Sequence, residues 1–78
     1  MNVEATSLAG LYRILPEVHV DDRGEFWRSY CQKVLAENGL EFEVCQSNVS
    51  INRYQHTLRG FHYQRLPSTE QKILTVMV

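Results

Sequence analysis

Hydrophobic and polar positions alternate in short runs along the 78 residues, and this pattern predicts several short strands. Residues 11–20 favour β structure but contain Pro16, which suits an edge strand or two short strands. The Asp- and Gly-containing stretch 21–24 predicts a turn, because these residues tolerate the backbone angles of turns. The aromatic-rich run 25–30 predicts the next strand.

One helix is predicted, over residues 30–38. Ser29 is a suitable N-cap, since its hydroxyl could accept a hydrogen bond from a free backbone N–H of the first turn. Gly39 is expected to end the helix. The adjacent apolar residues Val34 and Leu35 would then face inward.

The second half of the sequence predicts three more strands, over 42–51, 57–64 and 72–78, with a turn at 52–55 and a break at 66–69. Five short strands and one helix indicate a single, mainly β sandwich or barrel spanning residues 1–78. The last strand holds five large apolar residues in seven positions and no polar residue follows it. We expect such a strand to need a partner, either a missing continuation or another subunit.

Composition narrows the classes of function. Eight Lys and Arg against nine Asp and Glu give a net charge of −1, which disfavours nucleic-acid and membrane partners. There is no apolar run of the ~20 residues that a membrane span needs. The first residues lack the features of a signal peptide, so we expect a cytoplasmic protein. Cys31 and Cys45 have no zinc-like spacing and are expected to be reduced thiols.

Candidate chemistry is concentrated in the segment TLRGFHYQ at 57–64 and in Lys72. A histidine base, an arginine that binds a phosphate and a lysine that offsets enolate charge suit proton abstraction next to a carbonyl. His62 and Arg59 would lie on opposite faces of a regular strand, so a bulge or twist at Gly60 would be needed to bring them together. The alternative is that His62 is a structural residue of the strand.

The motif LRGFHYQ resembles the LRG-hydrophobic-HYQ signature of the dTDP-4-dehydrorhamnose 3,5-epimerase family. The similarity extends to DDRG-x-F at 21–26, to QSN-x-S at 46–50 and to the ten-residue step from His62 to Lys72. It covers essentially the whole chain in the family's order. The resemblance implies an all-β, cupin-like jelly-roll fold with one short helix, present as its amino-terminal half. It also implies an isomerase of dTDP-rhamnose biosynthesis that works without a metal or other cofactor.

The resemblance assigns roles to individual residues. His62 matches the catalytic base and Lys72 matches a lysine near the C4 oxygen of the sugar. Phe26 matches an aromatic residue directed toward the nucleotide of a neighbouring subunit, so a homo-oligomer is expected. The remaining matched positions contact the nucleotide-sugar substrate. Arg23 and Arg59 match positions that bind its diphosphate, and a substrate-contacting strand is matched by Gln46, Ser47 and Asn48.

Two departures from the family leave alternatives open. Position 28 is Arg28 where the family usually has a glutamate facing the nucleotide base, so the base preference is open. The family's general-acid tyrosine and the carboxylate that orients the histidine have no counterpart in these 78 residues. Groups of this kind act as a unit, so the chain alone is expected to be inactive. The alternative function is a non-catalytic cupin-like fragment that binds a nucleotide sugar or only self-associates. Epimerisation at C3 alone or at C3 and C5 also remains open.

Overall fold

A computed structural model describes residues 1–77 of the chain, which divides into two units, Met1–Glu43 and Val44–Val78. The described strands and helix all lie in the first unit. None of the helices among residues 1–77 has the length and apolar character needed to cross a bilayer. The elements, in chain order, are β1 Asn2–Ala5, β2 Tyr12–Leu15, β3 His19–Asp21, β4 Gly24–Phe26 and α1 Gln32–Glu37.

Strands β1 and β2 form an antiparallel hairpin. Val3 lies opposite Ile14, and both are half-buried, while Glu4 lies opposite Arg13 as a cross-strand pair of opposite charge. The Thr6 hydroxyl donates to a backbone carbonyl across the loop at 2.8 Å. β1 is absent from the sequence-based prediction, because its four residues have a weak pattern and become a strand only through pairing with β2.

Strands β3 and β4 form a second, shorter antiparallel hairpin. The interruption at Pro16 separates β2 from β3, as predicted from the missing backbone donor of proline. Asp21 pairs with Gly24 at the end of the hairpin, and Gly24 has a φ of +124°, which is accessible to glycine but rarely to other residues. β4 ends at Phe26, so the predicted strand over 25–30 is too long; residues 27–30 have no strand partner among the described residues.

Helix α1 begins later than predicted. Its N-cap is Cys31, with extended backbone angles of φ −148° and ψ 111°, so the assignment of Ser29 as N-cap is wrong. The first helical bond runs from the Leu35 N–H to the Cys31 carbonyl at 3.1 Å. No side chain caps this end by a hydrogen bond. Pattern alone could not locate the start, because helix boundaries depend on which carbonyl accepts the first bond.

The predicted end of α1 is confirmed. Gly39 has a φ of +75°, its N–H donates to the Ala36 carbonyl at 3.0 Å, and the Leu40 N–H donates to the Leu35 carbonyl at 2.9 Å. These two bonds form a Schellman motif, which satisfies carbonyls that the helix itself leaves unpaired. Leu35 is 2% exposed and is the core of the described chain, while Val34 is half-buried, so the inward face is also as predicted.

Residues 44–77 contain no helix or strand, so the strands predicted over 42–51 and 57–64 are not formed. The prediction over 72–78 is also wrong for residues 72–77, and Val78 lies outside the described residues. A strand is stable only beside a neighbour that accepts and donates its backbone hydrogen bonds. Without such neighbours, many apolar side chains in this unit are exposed; among the most exposed are Phe61 (97%), Val49 (88%), Val76 (87%), Leu74 (86%) and Ile51 (83%). Residues 1–77 therefore confirm short antiparallel strands with one helix, but not a closed sandwich.

Candidate functional site

The second unit places Lys72 against the backbone of His62. The Lys72 ammonium donates to the His62 backbone carbonyl at 3.1 Å and forms an ion pair with Glu70 at 2.9 Å. His62 is exposed and does not belong to the packed core. The structure thus brings together the two residues that the sequence suggests for base and enolate stabilisation, although the contact is to the backbone of His62 and not to its ring.

Gly60 lies between Arg59 and His62 in a segment that forms no strand. Its φ of +123° is rarely adopted by residues with a Cβ. A Cβ built on Gly60 would lie 3.6 Å from the His62 backbone nitrogen and 3.9 Å from the His62 Nδ1, both ordinary contact distances. The restriction at position 60 therefore comes from the backbone angle and not from crowding. This is the position at which the sequence predicts a departure from strand geometry.

The Arg59 side chain is held by the two residues that precede a turn at 53–56. Its Nε donates to the Asn52 side-chain oxygen at 2.7 Å, and its Nη2 donates to the Ile51 carbonyl at a longer 3.4 Å. The turn itself lies at residues 53–56, one position later than predicted, and the Thr57 hydroxyl donates to the Tyr54 carbonyl at 2.8 Å. The guanidinium is exposed, so it can contact a ligand while these bonds hold it.

Arg23 in the first unit has a different partner. Its Nη2 lies 2.6 Å from Asp21 Oδ2, and its backbone N–H donates to Asp21 Oδ1 at 2.8 Å. The guanidinium of Arg23 lowers the pKa of the Asp21 carboxyl, and the carboxylate raises the pKa of Arg23 in turn. The two side chains are 89% and 52% exposed, so water screens much of this attraction.

Arg23 and Phe26 line the same shallow cavity of about 400 Å³ on the β3–β4 hairpin. Phe26 is 72% exposed, so a large aromatic face is free of the packed core. A second cavity of about 190 Å³ in the first unit includes Arg28 and Val34 in its lining. Arg23 and Phe26 therefore lie close enough to line one cavity.

The remaining predicted substrate-contacting residues lie in an irregular, exposed segment of the second unit: Gln46, Ser47 and Asn48. Arg59, His62 and Lys72 belong to this unit as well, whereas Arg23 and Phe26 belong to the first. The convergence of Arg23 and Arg59 on one diphosphate therefore stays a prediction.

Cys31 has a perturbed thiol at the start of α1. The backbone N–H of Val34 is the largest cause that lowers the pKa of the Cys31 thiol, and Arg28 adds to the effect, although the sulfur accepts no capping hydrogen bond at the start of the helix. In the described part of the chain, no group of at least three His, Cys, Asp or Glu side chains could hold a metal ion.

The sequence pattern did not indicate the polar partners of the three candidate cations, Arg23, Arg59 and Lys72. Asp21 and Glu70 each precede their cation by two residues, and Asp21 also accepts the backbone N–H of Arg23, a bond that aspartate side chains commonly form two residues on in turns. That spacing could have identified both ion pairs. Asn52 precedes Arg59 by seven residues across a turn, and no local periodicity signals this contact.

Comparison with known proteins agrees with the family resemblance of the sequence motifs. The family model described as dTDP-4-dehydrorhamnose 3,5-epimerase matches residues 5–78. A protein of that description from Methanothermobacter thermautotrophicus is 43% identical over 60 residues, which cover 77% of this chain and 32% of the relative. Another from Shigella flexneri is 37% identical over 79 residues, covering 100% of this chain and 43% of the relative.

A third relative with the same description, from Mycolicibacterium smegmatis, is 30% identical over 76 residues, which cover 96% of this chain and 37% of the relative. The chain thus spans between 32% and 43% of the length of these curated relatives. No solved structure matches it. The family match covers nearly all of the residues and includes the LRGFHYQ segment and Lys72, so the chain belongs to the dTDP-4-dehydrorhamnose 3,5-epimerase family.

Proposed function

We propose that this chain carries the base-bearing part of a nucleotide-sugar 3,5-epimerase, which inverts C3 and C5 of a nucleoside-diphosphate 4-keto-6-deoxy sugar. The observation that carries the proposal is the Lys72 ammonium at the His62 carbonyl, 3.1 Å away, in a chain that belongs to this family. This contact places the ammonium beside the residue that carries the base, and so supports a site in which both residues act on the C4 ketone of one substrate.

The chemistry begins with the C4 ketone, which acidifies the C–H bonds at C3 and C5. The neutral His62 imidazole takes the proton from one carbon, and the electron pair of that C–H bond moves onto the C4 oxygen as an enolate. The Lys72 ammonium stabilises the enolate by a charge-assisted hydrogen bond. A proton from water then adds to the opposite face of the carbon as the electron pair returns from the C4 oxygen, and His62 releases its proton to solvent, which completes the inversion. The Lys72 ammonium has three N–H donors, and its bonds to Glu70 and to the His62 carbonyl use two of them, so the third can donate to the enolate oxygen.

The other predicted residues bind the nucleotide diphosphate and the rest of the substrate. Arg23 and Arg59 bind the diphosphate, because a guanidinium offers parallel N–H groups that match phosphate oxygens. Phe26 contacts the nucleotide bound to a neighbouring subunit, in keeping with its exposed ring on the β3–β4 hairpin. Gln46, Ser47 and Asn48 supply hydrogen bonds to the substrate, in keeping with their exposed positions.

The fold proposed for the functional state is a single cupin-like jelly roll to which residues 1–78 contribute. Exposed apolar residues of the second unit, such as Phe61 at 97% and Ile51 at 83%, support completion of the sheet by further strands or by a second copy. A homo-oligomer is proposed on the same ground.

The decisive experiment measures deuterium incorporation from D₂O at C3 and C5 of dTDP-4-keto-6-deoxyglucose incubated with the 78-residue chain. Exchange needs only the base, so it reports on His62 even if net epimerisation is negligible. We expect slow exchange that is lost in His62→Asn with dTDP affinity retained. His56→Asn is the matched control, because His56 is exposed in the same unit and has a φ of +62°, a conformation that Asn tolerates.

Each other outcome has a defined meaning. Exchange that survives in His62→Asn would show that another group is the base. Affinity for dTDP with no exchange in the wild-type chain would favour the non-catalytic nucleotide-sugar binder. Unfolding of His62→Asn, detected by circular dichroism while His56→Asn stays folded, would favour the structural role of this histidine.

A further inference from the structure

The guanidinium of Arg59 is held along one edge by two acceptors of the chain segment before it. Its Nε lies 2.7 Å from the Asn52 Oδ1, within the range of a strong hydrogen bond, and its Nη2 lies 3.4 Å from the Ile51 carbonyl oxygen. Both acceptors lie on the same side, because the Nε–H and one N–H of Nη2 point in parallel. The segment 51–52 therefore sets the plane and direction of the guanidinium.

The terminal edge of the Arg59 guanidinium keeps its donors. A guanidinium has five N–H groups, of which two are used here, so the edge formed by Nη1 and Nη2 retains donors for a second partner. Two parallel N–H groups on one edge are the geometry that binds two oxygens of a phosphate. The bonds to Asn52 and Ile51 are thus compatible with anion binding at the terminal edge.

The nature of the acceptor distinguishes Arg59 from Arg23. Arg23 is paired with a carboxylate, Asp21, at 2.6 Å, which offsets its positive charge. Arg59 is held by the neutral amide of Asn52, which orients the guanidinium without offsetting its charge. Among these two arginines, Arg59 is therefore the one that presents an oriented and uncompensated cation.

We propose that Asn52 is a positioning residue that orients Arg59 for the phosphate groups of the nucleotide sugar. The identity of the anion rests on the proposed function; the orienting contact does not. Holding the side chain before the ligand arrives removes part of the ordering cost of binding, which for a long side chain corresponds to an effect of about three- to tenfold on affinity.

The orienting contact is tested directly by nuclear magnetic resonance of the Arg59 Nε–H in the 78-residue chain. We expect slow solvent exchange of this proton in the wild-type chain and fast exchange in Asn52→Ala. Asn52→Asp keeps an acceptor at the same position and should restore slow exchange. Gln55→Ala is the matched control, because it removes an amide from the adjacent turn 53–56 without removing an acceptor of Arg59, and it should leave the exchange rate unchanged. Equal exchange rates in the wild-type chain and Asn52→Ala would overturn the proposal.

The consequence for binding is tested by calorimetric titration with dTDP. Asn52→Ala should weaken binding by about three- to tenfold, and the same substitution should have no further effect in an Arg59→Ala background. If Arg59→Ala weakens binding and Asn52→Ala does not, the positioning role is overturned while the proposed function stands. If Arg59→Ala leaves dTDP affinity unchanged, the diphosphate role of Arg59 in the proposed function fails, and the role of Asn52 in ligand binding fails with it.

Discussion

Leu35 is the residue whose truncation should most weaken the first unit. It is 2% exposed, and it is the only fully buried side chain among residues 1–77. Burying a leucine is worth about 1.5–3 kcal/mol, and truncation to alanine in a protein core costs about 2–5 kcal/mol once the cavity is included. Because the surrounding side chains are half-buried or exposed, they can partly collapse into the space. We therefore expect Leu35→Ala to reduce the free energy of unfolding by about 2–3 kcal/mol, the low end of that range.

The measurement is a urea titration that follows the helical circular dichroism and the fluorescence of Trp27, the single tryptophan of the chain. Leu66→Ala is the matched control, since it removes the same atoms from a side chain that is 84% exposed. It should change the free energy of unfolding by less than about 0.5 kcal/mol. Equal destabilisation by the two substitutions would refute the assignment of Leu35 as the core of this unit.

Two further predictions concern charge and association. The pKa of Asp21 is lowered by Arg23, so the pair contributes stability above the ordinary aspartate pKa, and this contribution is lost as the pH falls through the lowered value in the folded state. The stability difference between the wild-type chain and Asp21→Asn, measured by urea titration from about pH 6 to about pH 2, should therefore vanish at the acidic end; a difference that grows toward low pH would contradict the pair. The exposed apolar side chains of residues 44–77 predict that the chain associates, and sedimentation should detect dimers or larger species that Phe61→Ser reduces. A well-folded monomer at all accessible concentrations would contradict this prediction.

Sequence alone determined the features that depend on one residue and its immediate neighbours. The separation of β2 from β3 at Pro16 follows from a missing backbone donor, and the end of α1 at Gly39 follows from a φ that glycine adopts without strain. The burial of Leu35 follows from its place in the apolar pair of the helix. The motif LRGFHYQ was likewise sufficient to indicate the family that the comparison confirms.

Tertiary structure decided the features that require two distant segments to meet. β1 forms because it pairs with β2, with Val3 opposite Ile14 and Glu4 opposite Arg13. Its four residues show too short a pattern for that pairing to be predicted. The strands expected in 42–77 are not formed because their backbone groups have no neighbouring strand among the described residues.

The candidate site divides in the same way. Sequence supplied the identities of Arg59, His62 and Lys72, because their types and spacing form a recognisable motif. Only the folded chain shows that the Lys72 ammonium donates a hydrogen bond to the His62 backbone carbonyl. The same holds for the bond from Arg59 Nε to the Asn52 side-chain oxygen. The physical reason is that a hydrogen bond across a turn depends on distance and angle in space, and these are set by the backbone path between the partners and not by the residues themselves.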